Sequence, residues 1–599
     1  MKHLHLFHIP VMGVAYTIDT PLKVSQYGID SVISLVDNVL LEKMRKFYSE
    51  KFNLSYNEIS QKSKDYMAER ITAYLNLINR LSVQKFEEIK NNYQEKKEII
   101  KEYFELLPDN SYLRKKFNDL MKKNTSINEI KQWVKDNMQM GSIDVNIMTK
   151  VDKTNYKNGQ QLPHEFNDAH AALRGYANSD LTSSLVLSAG MSPRLYSYIE
   201  SFEDFYPNAD GFIKKKIILK VSDYRSAFIQ GKFLAKKGIW VSEFRIESGL
   251  NCGGHAFATD GFLMGPILEE FKNNRYKLRE EIFSILTKAL EQKGRVIPNE
   301  ILPLKITAQG GVGTSEEQDF LIDYYNLDSI GWGSPFLLVP EVTTVDEYTR
   351  NELSKAKEKD LYLSEISPLG VPFNSLRTAS ATLKKLEKAK KGRAGSSCPK
   401  AYLVSNTEFT EKPICTASRQ YQNVKLKELE NMELQEKEYQ ELYQKIITPE
   451  CLCVGLSESA IITHKIDYKI KDIGVSVCPG PNMAYFHKTA SLKEMITHIY
   501  GKTNLIGKAY RPNIFVKELN LYIDYLKKQL NDTQMKIDTK QIRYFKKFAE
   551  NLQNGLIYYF SLFENTKDKF AQKKDEILKD LSMAKKRLEK LYVKVESLA

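Results

Sequence analysis

From residue 141 the chain alternates short apolar runs with helical stretches. The runs are "SIDVNIMTKV", "SSLVLSAGM", "KKIILKVSD", "IWVSEFRIE", "LPLKITAQGG" and "LDSIGWGSPFLL". This order constrains the fold more than any other feature. Parallel strands cannot be joined by tight turns, so strand–helix–strand alternation implies a parallel sheet with helical crossovers. A further strand at residues 4–14 brings the count to seven, and residues 150–183 have room for an eighth. Closure as a (β/α)8 TIM barrel is the economical solution. A doubly wound open sheet is the alternative, but its GxGxxG fingerprint is not found.

The remaining segments are additions to this pattern. Residues 1–37 read as the first strand–helix unit. Residues 38–140 are rich in Lys, Glu, Asn and Leu and read as a helical insertion, in which Ser126 and Glu129 form a capping box. Residues 141–343 complete the barrel. Residues 344–500 are of mixed pattern and hold five cysteines. Residues 501–599 carry apolar residues at three- and four-residue spacing and read as a helical extension.

With 599 residues, 42% of them apolar, the chain can bury substantial cores. Mean hydropathy is −0.42. No apolar run approaches the ~18 residues of a membrane span, and the N-terminus lacks a signal peptide's pattern. A cytoplasmic protein is expected, with no membrane partner. Residues 501–599 hold 21 Lys/Arg against 12 Asp/Glu and so carry much of the net charge of +13. The interleaved acids indicate a solvated helix face rather than a nucleic-acid surface. The helical additions could pack on the barrel, pair with each other, or form a homo-oligomer.

Two strand ends carry the chemistry. "ITAQGGVGTSEEQ" runs from a strand into Gly310, Gly311 and Gly313, then to Thr314 as a helix cap with Glu317 completing a capping box. Glycine loops expose backbone N–H groups to an anion at a helix N-terminus. The next strand ends in Gly331, Gly333 and Ser334, and paired loops late in a barrel form a phosphate site. "RIESGLNCGGHAF" places His255 after Gly253 and Gly254, just past a strand end. A histidine there can take or give a proton near neutral pH. Cys252 could line the same pocket. Cys398, Cys415, Cys451, Cys453 and Cys478 lie within about 80 residues. They could hold zinc or an iron–sulfur cluster, but no CxxC pair is present, and buried structural thiols are the favoured reading.

"ESGLNCGGHAF" followed by "ITAQGGVGTSEEQDFLIDYYNLDSIGWGSPFLLVPE" resembles the nitronate monooxygenase (2-nitropropane dioxygenase-like) family. These are FMN-dependent barrels related to the flavin-type enoyl-acyl-carrier-protein reductases. "IPVMGVAYTIDTPLKVSQYG", "VNIM", "SPLGVPFNSLR", "PICTASR" and "GVSVCPGPNMAYFHKTASLKEMITHIYG" resemble further family segments. The resemblance implies FMN phosphate on Gly310, Gly311, Gly333 and Ser334. It sets Asn146 and the backbone at Met12 and Gly13 against the isoalloxazine, and makes His255 the active-site histidine. Gly253 and Gly254 would leave room for a small-molecule substrate at the ring. Lys220, near a strand end, could stabilise reduced flavin or equally be a surface residue of a Lys-rich segment. Two departures stand out: Asn251-Cys252 replaces the usual Glu-Ala, and Ser334-Pro335 replaces the usual Thr-Arg. The expected reaction is oxidation of a nitronate-like carbon acid or a reduced nicotinamide. The alternatives are an enoyl-thioester reductase and a flavin-containing assembly protein.

Overall fold

The computed structural model describes residues 4–123, 125–149, 151–188, 190–254, 260–466, 474–532, 538–566 and 570–598. Eight parallel strands run in the order β1-β8-β7-β6-β5-β4-β3-β2. They are β1 (Phe7–His8), β2 (Ser31–Ser34), β3 (Ile143–Ile147), β4 (Ser183–Leu187), β5 (Lys215–Val221), β6 (Val241–Glu247), β7 (Lys305–Gln309) and β8 (Ser329–Gly331). A parallel bridge between Ile9 and Ser31 joins the two ends, with Ile9 N–H donating to Asp30 O at 2.9 Å. The fold is a nearly closed α/β barrel.

The eighth strand is not where the sequence pattern left room for it. Residues 150–183 hold a two-residue hairpin and the helix Asp168–Ala177. The missing strand is β2, within a stretch read as helix. That helix ends early, at Val24, and Gly28 (φ 75°) turns the chain out of it. Gly28 and the β-branched Val32 and Ile33 carried the signal. At four residues, β2 was too short for its alternation to show.

The 38–140 segment is helical and lies between β2 and β3. Its helix Tyr66–Asn91 places Ile71, Tyr74, Leu75 and Ile78 in the main core. Phe86, Tyr103, Phe104, Phe117 and Val134 form a separate core among its helices. The Ser126–Glu129 capping box is present. The C-terminal helices Ile514–Asp532 and Thr539–Asn565 pack on the barrel helix Met264–Gln292, and Lys574–Glu596 packs on those two, with Phe515, Leu519, Tyr559 and Leu581 in the main core. Among the described residues no single helix is long and apolar enough to cross a membrane. The bent pair Glu436–Ile447 and Leu452–Thr463 passes on length and composition only, and the second of these helices is largely buried.

Successive residues of a strand face opposite sides of a sheet. Val32, Val186 and Ile218 on β2, β4 and β5 form one small cluster with Val11. Two residues further along each strand, Ser34, Ser188 and Lys220 line an open space. The barrel interior thus passes from an apolar layer to a polar one at the C-terminal ends of the strands.

Candidate active site

That open space is a cavity of roughly 1120 Å³, its mouth included. Its floor is built from strand ends: Val11, Gly13 and Val14 after β1, Ser34 and Val36 from β2, Asn146 and Met148 from β3, Ser188 after β4, Lys220 on β5 and Glu247 on β6. Asn251, Cys252, Gly253 and Gly254 from the loop after β6 form one wall. The roof comes from residues 369–456: Leu369, Val371, Phe373, Tyr402, Leu403, Leu452, Cys453 and Leu456. The lining is mostly apolar with a few convergent polar groups, the usual make-up of a small-molecule site.

One carboxylate organises the polar part of the floor. Glu247 Oε1 accepts from Lys220 Nζ at 2.8 Å, Asn251 Nδ2 at 2.6 Å and Gln309 Nε2 at 2.6 Å. Asn146 is 6% exposed, and its Oδ1 has no hydrogen-bond partner among the described residues. A buried amide oxygen without a partner is costly, and this one belongs to a residue that lines the cavity. Burial pushes the Cys252 thiol up to about 12, so it is an inert wall group.

The structure therefore brings Gly13, Asn146, Lys220, Gly253 and Gly254 into one cavity, together with Cys252. Met12 is fully buried behind Gly253, where a Cβ on that glycine would overlap Met12 Cα. His255 lies outside the described residues. The described cavity lining includes none of Gly310, Gly311, Gly333 and Ser334.

Gly310 and Gly311 sit in a second, filled assembly. The Ser315–Tyr325 helix is capped by Thr314, whose Oγ1 accepts from Glu317 N–H at 3.2 Å. Glu317 does not complete a capping box. Its carboxylate instead accepts from Gly313 N–H at 3.0 Å, Ile514 N–H at 2.8 Å and both terminal nitrogens of Arg511 at 2.7 and 2.8 Å. Arg511 also donates to Gly311 O at 2.7 Å and Asn482 Oδ1 at 2.9 Å. A Cβ on Gly310 would meet Asn251 N at 3.0 Å, and one on Gly311 would meet Leu250 Cβ at 2.8 Å. Ser334 is buried beside the Cys252 thiol, and a Cβ on Gly333 would overlap Cys252 Sγ. The chain's own carboxylate thus takes the place of an anion at this helix terminus, and a phosphate there would meet Glu317. The phosphate site expected from the glycine loops does not fit this arrangement. The polar and glycine residues at the cavity floor fit a flat polar-edged ring.

Several functional residues escaped the sequence reading. Asp37 caps the helix Asn38–Lys51 through Leu40 N–H at 3.0 Å. It also accepts from Tyr402 Oη at 3.0 Å and Ser457 Oγ at 2.7 Å, and is ion-paired with Lys400. Burial acts to raise its pKa, but Lys400 and the hydrogen bonds hold it below the usual carboxylate range. Asp37 therefore latches the roof to the end of β2. Asp37→Asn keeps the shape and removes the charge. A loss of about 1.5–3 kcal/mol is expected from weakening charge-assisted hydrogen bonds, read as a lower urea midpoint with faster proteolysis within residues 396–418. An unchanged midpoint and cleavage rate would refute the latch.

Glu518 of the C-terminal extension ties Ser248 to Met264. It accepts from Ser248 Oγ at 2.6 Å and Met264 N–H at 2.8 Å. Burial pushes its carboxyl up to about 7, against the lowering effect of those bonds. Tyr522 Oη accepts from Gly249 N–H at 3.2 Å. No local signal tied these residues to a loop 250 positions earlier in the chain.

The six cysteines fall into two groups. Cys478 donates to Gly254 O at 3.2 Å beside Cys252. Cys398, Cys415, Cys451 and Cys453 gather in the roof. Among the described residues no group of three or more His, Cys, Asp or Glu is placed to hold a metal ion.

No protein-family model matches the chain, and no curated protein matches it. Among solved structures it is similar to the enoyl reductase domain of MlnA from the macrolactin biosynthesis cluster from Bacillus amyloliquefaciens. The identity is 15% over 71% of this chain and 88% of that chain, with a TM-score of 0.31.

Proposed function

We propose that this chain is a flavin-dependent oxidoreductase of the nitronate monooxygenase type, which takes the ring system of FMN into the barrel-mouth cavity. The observation that carries the reading is the pairing of an unpartnered buried amide oxygen, Asn146 Oδ1, with the Lys220–Glu247 ion pair on the floor of one roofed cavity. When bound, the flavin supplies a two-electron acceptor. Asn146 offers an acceptor to a ring N–H. Lys220 offers a positive charge, held in place by Glu247, to an electron-rich edge. Gly13 and Gly253 let the backbone approach a flat face. The apolar roof excludes water, which strengthens both polar contacts. His255 follows the Gly253-Gly254 wall in sequence, and its part is to take the acidic α-proton of a carbon acid. In this reading the Gly310–Gly313 loop, whose Gly313 N–H is taken by Glu317, does not bind the flavin phosphate.

The test is anaerobic mixing of the FMN-loaded full chain with an electron donor. Propionate 3-nitronate is expected to bleach the visible flavin absorption. Bleaching by NADPH alone, with turnover of a crotonyl thioester, would replace this reading with an enoyl-thioester reductase. Failure of both donors would leave no oxidoreductase reading standing.

A further inference from the structure

The roof contains a thiol pair with no part in the cavity chemistry. Cys398 and Cys415 lie within interaction range, each the largest influence on the other's titration. The backbone closes the ends of the segment that contains them: Ser396 and Ser418 form a parallel bridge, Ser396 N–H donates to Ala417 O at 3.0 Å, and Arg419 N–H donates to Ser396 O at 2.8 Å. Ile414 and Asn406 exchange a second pair of bonds at 2.8 and 3.0 Å. Residues 396–418 are therefore an excursion closed at its base, with one cysteine on each side. Cys398 is partly exposed, whereas Cys415 is 4% exposed. Cys398 and Ala401 both have left-handed backbone, φ 50° and 52°. Neither residue type favours this conformation. The excursion carries Tyr402 and Leu403 into the cavity roof.

We propose that Cys398 and Cys415 form a hydroperoxide-reactive dithiol whose oxidation to a disulfide ties the base of the roof loop shut. The Cys398 thiolate attacks the O–O bond of a hydroperoxide. One oxygen is transferred to sulfur as a sulfenic acid, and the other leaves as water, or as an alcohol from an organic peroxide, once protonated. Cys415 then attacks the Cys398 sulfur; the S–S bond forms, the S–O bond breaks, and water leaves with the Cys415 proton. Two thiols are oxidised and one peroxide is reduced. The Cys415 thiol, aided by Ala401 N–H and Lys153, lowers the Cys398 pKa to about 7 against the effect of burial. Bonding to Cys398 and burial raise that of Cys415. The exposed member is thus the nucleophile and the buried one the resolving thiol.

The experiment treats the full chain with hydrogen peroxide and maps its peptides without reduction. The expected product is a Cys398–Cys415 cross-link with loss of two free thiols. Cys415→Ser is expected to trap a dimedone-reactive sulfenate on Cys398, and Cys398→Ser to give neither product. The wild-type map decides the matter even where a variant misfolds. Cross-links centred on Cys451, Cys453 or Cys478 overturn the assignment. So does a folded chain that keeps all its thiols under peroxide that oxidises the urea-unfolded chain. The oxidised chain is also expected to be cut more slowly within residues 399–414; an unchanged rate would remove the claim that the bond restrains the loop.

Discussion

Glu317→Ala is expected to destabilise the protein by about 3–5 kcal/mol, the cost of breaking a buried ion pair by removing one partner. Glu317 is 2% exposed and Arg511 6% by side chain. The substitution takes away the acceptor for Gly313 N–H and Ile514 N–H as well. Arg511 would keep only Gly311 O and Asn482. Because Ile514 begins the helix Ile514–Asp532, the loss loosens the C-terminal extension where it meets the barrel. Urea unfolding reads the effect, and Glu317→Gln should lie between the two. Inorganic phosphate is expected to raise the midpoint of the alanine variant and not that of the wild type, because a helix N-terminus freed of its carboxylate regains its affinity for anions. A wild-type midpoint in Glu317→Ala would mean that this pair contributes nothing.

Gly253→Ala is expected to abolish ring binding while Gly254→Ala does not. Gly253 has φ 84°, and its added Cβ would overlap the Met12 backbone. The left-handed conformation costs about 1–2 kcal/mol in an L residue, and overpacking adds about 1–3 kcal/mol. Backbone cannot move aside as a side-chain tip can, so the 251–254 wall must shift. At 1.4 kcal/mol per factor of ten, the summed cost of about 2–5 kcal/mol corresponds to a loss of affinity of roughly 30- to 4,000-fold. A Cβ on Gly254 meets nothing within 4 Å, and that variant should fold and bind as the wild type does. Equal binding by both variants would show that the wall is not part of the site.

The barrel was largely legible because its strands carry period-two and near-continuous apolar runs; Lys220 and the 253–254 pair were legible as strand-end residues, whereas Gly13 and Asn146 came only from the family resemblance. What was not legible has physical reasons. A glycine-rich turn before a capped helix has the same local sequence whether its N–H groups face a ligand or the chain itself. Here the answer depends on Arg511, about 200 residues away, and on which way Glu317 turns. β2 was hidden because four residues between a short helix and a long one show no alternation. The roof could not be read because Tyr402, Leu452 and Phe373 reach the cavity through tertiary packing, with Asp37 as a latch 365 residues from its partner Tyr402.

The most direct test of the account is a pair of titrations of the folded full chain with FMN and with riboflavin, followed by quenching of flavin fluorescence. The account predicts saturable binding of both at one site with closely similar affinity, lost in Gly253→Ala and retained in Gly254→Ala. No saturable binding of either flavin, or a strong preference for FMN that disappears when the Gly310–Gly313 loop is altered, would contradict it.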